Sequence, residues 1–143
     1  MGLKSLTLIV IIMTISNLVT AELNVNYYKE GLITLSNNYE KLNKQIGLEI
    51  LKISSEADQQ SLLRLQSAYV KEFKEQADLL SNAINDYEKS LATGISEEMH
   101  NQIVQRSSQI IKIATLHRKI FEDKIQRIRN AEYERIKNFL KSQ

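Results

Sequence analysis

The sequence predicts an all-α protein: three long amphipathic helices packed up-down-up as a coiled-coil-like bundle. Three observations carry this. Proline is absent from the 143 residues, so nothing in the chain removes a backbone donor from a helix interior. Glycine is almost as scarce, with only Gly31, Gly47 and Gly94 beyond the N-terminal leader. Apolar residues recur three and four positions apart over long stretches, the spacing that lines one face of an α-helix.

The first stripe runs through Tyr28, Leu32, Leu35, Tyr39, Leu42, Ile46, Ile50, Ile53 and Ala57, all within about 40° of one line at 100° per residue. It predicts a helix over residues 24–57. Gly47 lies off that stripe and costs about 1 kcal/mol relative to alanine, which so long a pattern absorbs. Between Ala57 and Leu62 the phase jumps by about 140° across the polar Asp58, Gln59, Gln60 and Ser61. A turn is expected at 58–61, with one very long helix as the alternative. A second stripe, Leu62, Tyr69, Phe73, Leu80, Ile84, Tyr87 and Leu91, predicts a helix over 60–92.

Thr93, Gly94, Ile95 and Ser96 then punctuate the chain. Gly94 can take the left-handed conformation that ends a helix, and Ser96 can accept a hydrogen bond from a free amide of the next one. Glu97 and Glu98 suit its first turn. The third helix is expected over 97–140, with Met99, Ile103, Ile110, Ala114, Phe121, Ile125, Ile128, Ile136 and Phe139 on its core side. Residues 58–95 carry four bases and six acids against ten and six in 96–143, a modest charge complement for an antiparallel pair.

The leader predicts export. Lys4 precedes the apolar run of residues 6–15, and the small residues Val19 and Ala21 mark a cleavage site after Ala21. A run of about ten residues is too short to span a bilayer of ~30 Å. The expected layout is a cleavable signal peptide, 1–21, followed by a single helical domain, 22–143, that is secreted; membrane anchoring by an uncleaved signal is the alternative. With Lys4 removed, eighteen basic residues face seventeen acids, which does not suit nucleic-acid binding. Cysteine is absent, so no disulfide framework supports the fold, and no Asn begins an N-glycosylation triplet.

Little in the chain resembles catalytic machinery. There is no thiol nucleophile and no glycine-rich phosphate loop. Glu97 and His100 have the Glu-x-x-His spacing of di-iron bundles, but Ala114 stands where the second motif, at His117, would need its carboxylate. His100 therefore reads as a surface histidine behind two capping acids, and no cofactor or metal site is expected. His117 shares the phase of the third stripe, which marks it as a core-edge residue and a candidate pH-sensitive group. Lys112, Arg118, Lys119, Lys124, Arg127 and Arg129 spread around the helix instead of forming a patch. The tyrosines read as packing residues with hydroxyls at the rim.

These observations favour a non-enzymatic protein that acts by protein–protein contact or as a structural element. A carrier of lipid or another apolar ligand is the alternative, and a membrane-active toxin or effector a weaker one. The third helix outruns the others by about ten residues, so its end should project some 15 Å. Tyr133, Ile136, Phe139 and Leu140 make that end apolar, with Arg135, Lys137 and Lys141 around them. This face is expected either to pack against the start of the chain, around residues 23–28, or to contact a second copy or a partner protein.

Overall fold

The computed structural model describes residues 25–143; the leader, its cleavage site and the alternative signal anchor lie outside the described residues. The fold is all-α: α1 (Val25–Leu51), α2 (Glu56–Ser90) and α3 (Ser96–Lys141) pack as a three-helix bundle. Cross-contacts fix the directions. On α1 and α2, Lys29 meets Glu88 and Asn43 meets Gln66, so the two run antiparallel. On α1 and α3, Tyr39 meets His117 and Glu49 meets Arg129, so these run parallel, which is the up-down-up order. The α2–α3 interface is the largest and the α1–α3 seam the smallest.

Each stripe read from the sequence supplies its part of the core. Leu35 and Ile50 of α1, Leu80 and Tyr87 of α2, and Ile103, Ile110, Ala114 and Phe121 of α3 have no exposed surface. Inter-helix ion pairs among the described residues tie α1 to α2 and to α3, and none joins α2 to α3. The largest interface is therefore held by apolar packing and not by the charge complement of the two segments.

The first turn falls at 52–55, not at 58–61, which lies inside α2. Ser55 is the N-cap of α2: its backbone is extended at φ −80°, ψ 115°, and its Oγ accepts from the Asp58 amide at 3.3 Å. Gln59 then reaches back, its amide donating to the carbonyls of Leu51 (3.3 Å) and Ile53 (2.6 Å) at the end of α1. A cap on one side and a side-chain donor on the other stop the helix without glycine or proline. Ile53 is buried although it sits in the turn, and Ala57, assigned above to the first stripe, is exposed on α2.

The second turn uses Gly94 at φ +79°, and the Ser90 carbonyl accepts from the amides of Thr93 (2.9 Å) and Gly94 (3.2 Å). Leu91 is the C-cap of α2 and is exposed, outside the core to which its phase assigned it. Ile95, without a side-chain bond, is the N-cap of α3; Ser96 has already entered the helix, where its hydroxyl no longer serves as the cap.

Candidate functional site

Two features stand apart from ordinary core packing: a pair of histidines bonded to tyrosines across the bundle, and an apolar helix end with no neighbours among the described residues.

His117 has no exposed surface. Tyr39 of α1 bonds its Nδ1 through the phenol oxygen at 2.6 Å. Tyr69 of α2 stacks on the imidazole, 5.0 Å between centroids and 12° from parallel, and Phe121 presents its edge at 4.9 Å. Phe73 stacks on Tyr39 at 3.7 Å and closes the other side. Nε2 of His117 is buried and has no hydrogen-bond partner. A phenol is a better donor than acceptor, and with Tyr39 donating, the ring proton is assigned to Nε2. Burial among aromatic rings disfavours the imidazolium and pushes the His117 pKa from 6.5 down to about 4. Burial also raises the Tyr39 phenol, helped by the charge of Glu72 and by Tyr69, so it stays neutral.

His100 repeats the arrangement toward the other end of the bundle. It is half-buried, not on the surface, and its Nδ1 bonds the Tyr28 hydroxyl of α1. Tyr87 of α2 lies 6.3 Å from its ring and meets Tyr28 edge-on at 5.7 Å. Burial lowers the His100 pKa, and Glu97 one turn earlier on α3 opposes that shift. The tyrosine hydroxyls of Tyr28 and Tyr39 thus point to histidines inside the bundle instead of reaching the rim. Sequence reasoning placed His117 near the core but missed both partners, because a tyrosine and a histidine more than seventy residues apart share no local pattern. The signal was present only as three facts: both histidines fall in the third helix, tyrosines lie on the first stripe, and the two helices run parallel.

Tyr133, Ile136, Phe139 and Leu140 are brought together at the far end of α3, each 60–66% exposed. Every residue from 133 to 143 is exposed while the helix continues to Lys141. Ile136 and Phe139 therefore have no core to face. The last anchored point is Glu132, whose carboxylate accepts from the Ser54 amide at 3.1 Å. This end does not pack against residues 25–28: α1 and α3 are parallel, so those residues sit beside His100, at the opposite end of the bundle.

A groove between α1 and α3, with a volume near 730 Å³, has Leu42, Ile46, Phe121 and Ile125 at its base and Gln45, Glu49, Arg118, Glu122, Asp123, Gln126 and Arg129 around it. The base residues are themselves buried. Of the charged groups, Glu49 pairs with Lys52 and Arg129, which hold its carboxyl below the ordinary range, and Glu122 pairs with Arg118 at 2.7 Å. Among the described residues no group of three or more His, Cys, Asp or Glu could hold a metal ion, and no helix is long and apolar enough to cross a membrane. Compared with known proteins, the chain matches no family model, no curated protein and no solved structure.

Proposed function

We propose that this is a secreted, non-enzymatic binding protein whose contact surface is the projecting end of α3, and that the partner this surface fits is a second copy of the chain. The observation that carries the reading is the exposure of Tyr133, Ile136, Phe139 and Leu140 on a helix that stays regular to Lys141. An isolated helical end of two to three turns is marginal in water without something to cover its apolar face. Four large side chains about three-fifths exposed at one helix end make an apolar patch of roughly a few hundred Å², the size of the largest patch on a typical monomer and often a functional one. Two such patches facing each other approach the ~1,000 Å² at which an interface becomes specific. The groove between α1 and α3 supports no competing catalytic reading, since its base is covered and its charges are largely paired within the chain.

Light scattering coupled to size exclusion tests the contact. The protein should run as a dimer, and the Ile136→Asp, Phe139→Asp double variant, changed only at exposed sites, should run as a folded monomer. A monomeric wild type at high micromolar concentration, or a variant that still dimerises, overturns the reading. Export is tested separately: the mature N-terminus should be Glu22 by intact mass, and retention of Met1 in a membrane fraction would count against secretion.

A further inference from the structure

Both histidines of the chain are on α3, and both bond a tyrosine hydroxyl of α1. The seam they cross is the smallest of the three interfaces. α1 and its following turn also reach α3 through Glu49 with Arg129 and through the Ser54 amide with Glu132, and both of those links are exposed. Both of the tyrosine hydrogen bonds across the α1–α3 seam end on an imidazole, the one side chain whose charge changes near neutral pH.

We propose that the two Tyr–His rungs form an acid-sensitive latch: protonation of His100 and His117 frees α1 from the α2–α3 hairpin, which itself stays folded. The chemistry follows from which atom takes the proton. The incoming proton lands on Nδ1, the atom that accepts from tyrosine, so two donors then face each other. The Tyr39 hydroxyl must turn to accept, and the Nε2 proton of His117 still has no acceptor. A full positive charge is left in an aromatic enclosure at no exposed surface, and leaving such a charge buried is costly.

The groups facing His117 do not relieve this. From α1 there is the Tyr39 phenol, which burial keeps neutral, and from α2 the ring of Tyr69; Glu72 of α2 acts on Tyr39 but is itself exposed. On α3 the sequence neighbour Arg118 adds a second positive charge, bound to Glu122. Around His100 stand Tyr28 from α1, Tyr87 from α2 and Glu97 from its own helix, and Glu97 favours the charged form. His100, half-buried and beside an acid, therefore takes its proton first, and His117 completes the release at lower pH. α1 is the element that leaves because the α2–α3 pair keeps the larger interface. Release uncovers Leu35, Leu42, Ile46 and Ile50 together with the surface of the hairpin they cover. The latch does not depend on the C-terminal contact.

The absence of cysteine makes the test direct, because two introduced thiols take two labels and nothing else reacts. One pair, Lys41→Cys with Lys119→Cys, reports α1 against α3; a second, Lys74→Cys with Lys119→Cys, reports α2 against α3. All three lysines are exposed. Between pH 6.5 and 4 the first distance should widen by about 10 Å or more, several helical rises, while the second holds. His100→Gln with His117→Gln, which keeps an acceptor for each tyrosine but cannot titrate, should abolish the widening. The proposal is overturned if neither distance changes by pH 4, if both change together, or if the glutamine variant opens as the wild type does. Should that variant fail to fold, imidazole titration by NMR in the wild type decides: a His117 midpoint below pH 5 coincident with the opening supports the latch, and one near 6.5 defeats it.

Discussion

At His117 one imidazole is held neutral by its surroundings, and that has a thermodynamic consequence with a definite sign. The unfolded chain binds a proton at this site near pH 6.5 and the folded chain only near pH 4. Stability is therefore full above about pH 6.5 and falls as pH drops toward 4, by on the order of 3 kcal/mol at most for a shift of this size. His100 is lowered too and adds to the slope in the same direction. Urea midpoints measured from pH 7.5 to 4 should fall, and the fall should shrink in His117→Gln. The hydroxyl that bonds the ring is expected to matter at neutral pH as well. Tyr39→Phe keeps the stack on Phe73 but leaves Nδ1 buried without its donor, a loss of about 1–3 kcal/mol. Chemical denaturation at pH 7.5 measures it, and a change below about 0.5 kcal/mol would show that the bond contributes nothing net. How much of this was legible in the sequence is clear at this scale. The phase of His117 placed it beside the core, but the acidity of a ring depends on what encloses it, and the enclosing Tyr39, Tyr69 and Phe121 come from three helices.

Within single elements, the periodicity of apolar residues located all three helices, and the first boundary was misplaced for a physical reason. Ile53 continues the stripe of α1 although it sits in the turn, because a buried residue in a short connection can fall in helical phase. Ala57 then extended the pattern by accident. The decisive signal was Ser55 followed by Glu56 and Asp58, a capping residue with acids in the first turn, which outweighs one apolar residue in phase. Two substitutions with opposite signs check this account. Ser55→Ala removes the acceptor for the Asp58 amide and should lower stability by about 1 kcal/mol. Gly47→Ala should raise it by roughly 0.5–1 kcal/mol, since an added Cβ would meet nothing nearer than the Gln66 amide nitrogen, at 3.9 Å. Thermal melts of the two variants should move in opposite directions, and a drop in Gly47→Ala would mean that the Gln66 to Asn43 bonds were disturbed.

For the whole molecule, the all-α class and the projecting end of α3 were readable from stripe lengths, whereas what that end touches was not. In an up-down-up bundle the first and third helices are parallel, so Val25 and Lys141 lie at opposite poles, and the projecting face lies away from the start of α1. Core substitutions test the assembled bundle: Leu80→Ala and Ile110→Ala each empty a site with no exposed surface and should cost about 2–5 kcal/mol. The unequal interfaces also set an order in time. The α2–α3 hairpin closes through a short turn at Gly94 and builds the largest interface from residues close in sequence, so loop closure costs it little entropy. That hairpin should be formed in the folding transition state, with α1 docking afterwards. In stopped-flow experiments Leu80→Ala should then act mainly by slowing refolding, while Leu35→Ala on α1 should leave refolding nearly unchanged and speed unfolding. A chain built this way leaves its native state by the reverse route: the first helix departs first, and the lifetime of the folded protein is the residence time of α1 on the hairpin.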